Sequence, residues 1–408
     1  MDRQTSTASE ARPRPRLSRV VKATGFVSFF TDMGSEIIYP ILPMFLTQLG
    51  ASRAMIGSIE GLAEGLPAVV KLLSGAIADR VRNRKWLVLI GYTLSTLFKP
   101  FIALAKTSGQ VLVFRLLDRT GKGIRTAPRD ALVADHTDPA IRGHAFGFQR
   151  AMDHAGAVAG GLISFAFLAW LGLSMKQAIA WSVIPGVLSV LTIVFFVHDR
   201  PGRTPGPGRA VNPLKGIGQL PRSYFVYIAG AALFTLGNSS DVFLLLRARD
   251  MGVSVSVIPL LWAFLHLVKS LTSVWGGKLS DRVGRLPVLA TGWTLYAFVY
   301  FAFALFQGQW AAWLSFALYG VFFGITEGAS RAVIADLVPE GRRGTAFGLW
   351  GMIEGLLLVT ASVLTGWLWD RTGSATAPLC LCAGLSLAAA LFLGLWWRRG
   401  GLTTHRPV

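Results

Sequence analysis

Asp32 and Glu36 stand four residues apart in the run SFFTDMGSEIIYP, so a helix there presents both carboxylates on one face. Two acids held close in a low-dielectric medium oppose each other's charge, which suits the pair to taking up and releasing a proton. Further ionisable residues recur in equally apolar surroundings. They are Glu60, Glu64 and Lys71; Arg150, Asp153 and His154; Asn238 and Asp241; His266 and Lys269; Glu327 and Arg331; and Glu354. Between them lies a denser set, Arg115, Asp118, Arg119, Lys122, Arg125, Arg129 and Asp130. A charge at the centre of a bilayer costs at least ~2.5 kcal/mol, so such side chains face a cavity or a partner.

The spacing assigns each group an expected place. Asp32 and Glu36 line a central cavity and load a proton, or else each is neutralised by a basic residue of a neighbouring helix. Glu60 falls near one membrane surface, where water solvates it. Arg115, Asp118, Lys122, Arg125 and Arg129 recur every three or four residues and form one stripe facing the cavity, with Arg119 about 100° aside. The stripe attracts an anionic solute, or it supplies counter-ions to Asp32, Glu36 and Asp153. Arg129 and Asp130 read as a lock between helices. His154 and His266 read as hydrogen-bonded packing residues.

Other chemistries find no support in the residues. The six histidines never form an H-x-x-x-H pair, and Cys380 and Cys382 stand alone in a late apolar run, so no metal or cofactor site is expected. The string RTGKG lacks the spacing of a nucleotide-binding loop. No nucleophile, histidine and acid stand at usable spacing, so the chain is not expected to be an enzyme.

The elements that position these groups follow from composition. Of 408 residues, 52% are hydrophobic and only 15% are charged, and the mean hydropathy is +0.52. Soluble proteins carry about 25% charged residues. Twelve apolar stretches of about 20 residues read as membrane spans. They cover roughly 22–46, 54–78, 86–106, 108–134, 144–170, 176–197, 223–247, 255–279, 286–306, 310–336, 345–369 and 376–397. The formal net charge is +19. The basic residues crowd alternate gaps between spans, as topology signals do, so nucleic acid is not an expected partner. Both termini are therefore expected to be cytoplasmic, in a plasma (inner) membrane protein. Residues 1–21 read as a basic cytoplasmic tail and not as a signal peptide. Residues 22–198 and 223–397 read as two six-helix bundles, joined by a Pro- and Gly-rich linker at 199–222 and followed by a tail at 398–408. Trp170, Trp181, Trp310, Trp396 and Trp397 read as interface anchors.

The two halves repeat. GAIADRV from Gly75 matches GKLSDRV from Gly277 at an offset of 202 residues. VAD from Val133 matches IAD from Ile334, and RGHAFG from Arg142 matches RGTAFG from Arg343, both at 201. Gly75, Asp79, Arg80, Arg84 and Lys85, with the second copy Gly277, Asp281, Arg282, Gly284 and Arg285, resemble the G-x-x-x-D-R-x-G-R-K loop of the major facilitator superfamily. Arg82 and Asn83 depart from that pattern. Arg119 and Gly123 resemble the family's R-x-x-x-G motif, and Gly156, Gly160 and Gly161 resemble its span-five glycine motif, with Ala157 where proline is usual.

The resemblance implies an all-α membrane fold of twelve helices in two pseudo-symmetric bundles. It implies alternating access, with spans one, four, seven and ten around the cavity and the Asp79 and Asp281 loops as gates. The expected cavity residues are Asp32, Glu36, Arg119, Lys122, Asp153, Asp241, Glu327 and Arg331. The expected function is secondary transport of a small solute, coupled to protons in preference to sodium. Export of a drug or organic metabolite and transport of an anionic solute both remain open. The implied partners are a small-molecule substrate, protons and membrane lipid, and the chain is expected to act as a monomer.

Overall fold

The computed structural model describes residues 17–81, 83–138, 141–199, 217–339 and 342–399. Most of the tail 1–21, most of the linker 199–222 and most of the end 398–408 fall outside them. The side chains of Asp79 and Arg80 are also outside the described set.

Each of the twelve apolar stretches is helical. The first six passages are α1 (Arg19–Ile38) with α2 (Leu42–Gln48), α3 (Arg53–Arg80), α4 (Arg84–Leu104), α5 (Ser108–Asp135), α6 (Arg142–Phe165), and α7 (Met175–Trp181) with α8 (Val183–Phe196). The last six are α9 (Arg222–Leu236) with α10 (Val242–Asp250), α11 (Ile258–Val283), α12 (Arg285–Leu305), α13 (Gln309–Leu337), α14 (Arg343–Thr372) and α15 (Thr376–Arg398). Among the described residues, eight helices are long and apolar enough to cross a membrane. The passages outside that set are α1–α2, α3, α5 and α9–α10, of which α9 is apolar but short.

Two passages are broken at matching places. Pro40 and Pro43 follow Tyr39, and the first passage turns between α1 and α2 there. The seventh passage, expected to be continuous, breaks between Leu236 and Val242. The sequence GNSSD at this point offers small residues and hydroxyls in place of helix formers. Tyr39 and Asp241 are equivalent at the repeat offset of 202. The repeat also produces twin ion pairs: Arg84 to Asp135 at 2.6 Å and Arg285 to Asp336 at 2.9 Å, each tying the start of one helix to the end of the next.

Charges pack the interior of the first six passages. Glu60 has 0% exposure and Arg115 has 1%. The Arg115 guanidinium donates to both Glu60 oxygens, at 2.9 and 2.6 Å, and lies 3.6 Å from Asp118. Ser95 donates a short bond to Asp118, and the Arg125 guanidinium lies over the Tyr92 ring at 4.3 Å. Two expectations are corrected here. Glu60 is not a solvated surface acid; it is the counter-ion that allows Arg115 to be buried. Most of the basic stripe does not face a cavity, because close approach of α5 to α4 at Gly91 and Gly121 turns Arg115, Asp118 and Arg125 into the helix interface. In the last six passages an aromatic cluster fills the interior instead, with Phe234 stacked on Trp293 at 4.7 Å and Tyr296 on Tyr300 at 4.3 Å.

The halves meet at one end. A Cβ on Gly57, Gly61 or Gly65 of α3 would press on Ser362, Val359 or Gly355 of α14, so these helices approach backbone to backbone. Asp370 of α14 accepts the backbone N–H groups of Arg53 and Ala54 at 2.9 and 2.8 Å, which caps the start of α3 from the other half. The other end, which bears the basic loops, is open.

Two predictions follow from this packing. Glu60→Gln leaves a buried guanidinium without its charge partner and should cost about 3–5 kcal/mol. Thermal denaturation in detergent should therefore fall sharply, and an unchanged midpoint would contradict the assignment. Asp370→Ala removes a cap worth about 1 kcal/mol, roughly fivefold in population. A Ser362→Cys probe, placed in a background lacking Cys380 and Cys382, should then react roughly fivefold faster with a membrane-impermeant thiol reagent.

Candidate functional site

The open end leads into a cavity of two adjoining lobes, about 700 and 710 Å³. The first runs between α3, α5 and α14, from Gly75, Ala78 and Gly344 down to Glu64. The second lies against α9, α12 and α13 and carries Phe234, Trp293, Phe322, Phe323 and Trp350. Lys71 and Glu354 line both lobes.

Three carboxylates cluster around the deep end of the cavity, and Glu64 is the one that lines it. On α1, Glu36 accepts the Trp262 indole N–H of α11 at 2.7 Å, a bond between the two halves. On α3, Glu64 accepts the Tyr39 hydroxyl at 3.2 Å and the Ser240 hydroxyl at 3.3 Å. Glu64 thus gathers both helix breaks onto one acid. Asp241, at the second break, accepts the Tyr319 hydroxyl at 2.5 Å. The Tyr39 and Trp262 rings lie 5.0 Å apart and close the space between Glu36 and Glu64. The break in the seventh passage brings Ser240 to Glu64, whereas Tyr39 still has helical backbone, its N–H bonded to the Ser35 carbonyl at the end of α1.

Asp32 lies one turn from Glu36 toward the open end and makes no hydrogen bond among the described residues. Its charged neighbours are Asp153, Lys122, Glu36 and Arg125. Lys122 is exposed, unlike the buried members of its stripe. Arg119 lies 3.8 Å from Asp118, and its Nε is buried without a hydrogen-bond partner. Gly160 of α6 lies against the Met33 carbonyl and the Glu36 Cβ, so the span-five glycines set how closely α6 approaches the α1 acids.

A second contact between halves runs along the cavity wall. Arg150 of α6 bonds Glu327 of α13, and Lys269 of α11 reaches the same carboxylate at 3.1 Å. Arg331 stands 3.5 Å from Glu327, and Arg150 stands 3.8 Å from Asp153. Glu327 and Arg331 line the second lobe. Glu354, the repeat counterpart of Asp153, has no hydrogen bond or ion pair among the described residues and faces both lobes. The rings of His154 and His266 lie 6.5 Å apart, and both His266 nitrogens are buried without partners, so hydrogen-bonded packing does not describe His266.

Of the eight expected cavity residues, Asp32, Glu36, Lys122 and Asp153 form one electrostatic group and Asp241 stands at the break of the seventh passage, but none of these five lines either lobe. The structure puts Glu327 and Arg331 on the wall, and it pairs Arg119 with Asp118 beside the buried network. Sequence reasoning left Glu64, Trp262 and Lys99 out of this group. Glu64 stands out in the sequence as an acid in apolar surroundings but is not among the expected cavity residues. Lys99, with 1% exposure and a 3.4 Å bond to the Thr31 carbonyl, sits in an otherwise apolar span and is another such signal. Trp262 carries no sequence mark that separates it from other membrane tryptophans. Of the gating loops, Gly277 is half-buried, while Asp281 and Arg282 are exposed and engage no partner among the described residues.

Known proteins share this architecture. The profile of the Major Facilitator Superfamily matches residues 24–268 and 226–407. An uncharacterized MFS-type transporter of Methanocaldococcus jannaschii is 36% identical over 381 residues, covering 91% of this chain and 94% of the relative. The multidrug resistance protein MdtH of Edwardsiella ictaluri is 26% identical over 397 residues, covering 92% and 94%. Among solved structures, a bacterial homolog of the human lysosomal transporter Spinster, in an inward-facing and occupied conformation, gives a TM-score of 0.75 at 18% identity and covers 97% of this chain and 100% of that one. With the profile matching both halves and the repeated helices enclosing one cavity, the chain belongs to the Major Facilitator Superfamily and is a membrane transporter, not an enzyme.

Proposed function

We propose that the protein exports an amphipathic organic solute in exchange for protons, and that Glu36 couples the two. The basic loops support a cytoplasmic assignment for the open end. On that assignment the conformation faces inward, ready to load solute from the cytoplasm. The observation that carries the reading is the Trp262 to Glu36 bond at 2.7 Å.

Ionised Glu36 accepts a charge-assisted hydrogen bond from the other half, and that bond helps to keep the far end closed. A hydrogen bond to a charged group is worth ~1.5–3 kcal/mol, against ~0.5–1.5 for a neutral pair. Protonating Glu36 therefore weakens closure by about 1 kcal/mol, roughly a fivefold shift toward the outward-open state. A proton taken from outside and released inside then favours each conformation in turn. Coupling needs only that difference between the two states. Asp32 and Lys122 lie between Glu36 and the cytoplasmic opening and provide a route for the released proton.

The cavity wall supports the choice of solute. Its aromatic face suits a planar apolar body, and Glu354 offers an acid that no protein group neutralises by direct contact. A basic amine fits that pair of features. The burial of Arg115 against Glu60 and of Arg125 over the Tyr92 ring takes away much of what favoured an anionic solute.

Purified protein in inside-out vesicles should accumulate lipophilic amines when the lumen is acidified. Glu36→Gln should bind the amine yet lose proton-driven accumulation. Glu354→Gln should weaken amine binding roughly tenfold. Organic anions carried better than amines, with Glu354→Gln neutral, would instead establish the anionic-solute reading. Proton-driven accumulation preserved in Glu36→Gln would remove Glu36 from the coupling step.

A further inference from the structure

A groove of about 580 Å³ lies between α1 and α8 at the basic-loop end, apart from the transport cavity. Its body is apolar, with Phe26, Phe195 and Phe196 exposed by 49%, 64% and 64%. Its rim carries Arg19, Lys22 and His198. All three rim groups are exposed, and none forms an ion pair among the described residues. α1 and α8 are held together deeper in the bundle, where Thr31 donates to Ser189 at 2.8 Å, so the groove is a fixed cleft between packed helices.

We propose that this groove binds one anionic phospholipid, with its phosphate at Arg19 and Lys22 and an acyl chain along Phe26, Phe195 and Phe196. Charge decides the occupant. The segments that flank the groove in sequence, 1–16 and 200–216, are both net basic, so neither complements the cationic rim. A lipid supplies the anion and the chain in one molecule, at the depth where the rim meets the aromatic body. Basic pockets between membrane helices recognise anionic headgroups in this way, and each Lys or Arg near the surface contributes about fivefold in binding. The proposal does not depend on the identity of the transported solute.

Native mass spectrometry of the full-length protein in detergent tests it, with phosphatidylglycerol, chain-matched phosphatidylcholine and free glycerol phosphate as probes. One phosphatidylglycerol should bind at least tenfold more tightly than phosphatidylcholine. The double variant Arg19→Gln/Lys22→Gln should lose about 10- to 30-fold of that affinity while keeping the wild-type thermal midpoint without added lipid. Phe195→Ser/Phe196→Ser should also weaken it, because the chain contributes. Equal binding of both lipids would overturn the proposal, as would unaltered binding by the Arg19/Lys22 variant. Free glycerol phosphate binding as tightly as the lipid would reassign the rim to a soluble phosphate. An equal loss in Arg398→Gln/Arg399→Gln would reduce the effect to general surface attraction.

Discussion

A carboxylate taken out of water must be met by a donor or a cation, and the placement of those partners organises this protein. Where both partners belong to one half, the contact holds a bundle together; Glu60 with Arg115 is of this kind. Where they belong to different halves, the contact holds one conformation. Glu36 with Trp262, Glu64 with Ser240, and Glu327 with Arg150 are of the second kind. The first class can be as strong as geometry allows, because nothing has to break it. The second must stay near the few kcal/mol that separate two states of a transporter.

The halves share a fold but not an interior. The first buries a network of charge around α5, and the second buries stacked aromatic rings around α12 and α13. This asymmetry shapes the cavity. Glu64 and Lys71 of α3 line one side, and Phe322, Trp293 and Trp350 form the other. A solute between them meets an apolar wall, the acid Glu354 on α14 and the ion-paired Glu327 and Arg331 of α13.

Much of this was legible in the chain. The twelve stretches stood out because lipid requires long apolar helices, and the offset of about 201 residues between VAD and IAD exposed the repeat. The acids at Asp32 and Glu36 stood out because charge is rare where they lie. Helix spacing fixes which residues share a face, but not what that face meets. For that reason the α5 stripe was expected to line a cavity, when Gly91 and Gly121 in fact draw it against α4. The partner of Glu36 was hidden for a similar reason. Trp262 is 226 residues away, and only the close approach of α6 and α11 at Gly161 brings it near. The break in the seventh passage did have a local signal, the run GNSSD, but hydropathy alone reads across it.

The central claim is that the proton on Glu36 decides which end of the molecule is closed. Spin labels at Ser52 and Arg371, exposed residues at the far ends of α3 and α14, report that end by pulsed dipolar distance measurement. The account predicts a short distance at high pH and a growing population at long distance as pH falls. Glu36→Gln should hold the long-distance population at every pH. A distance distribution in wild type that ignores pH, or one in Glu36→Gln that still follows it, would contradict the account.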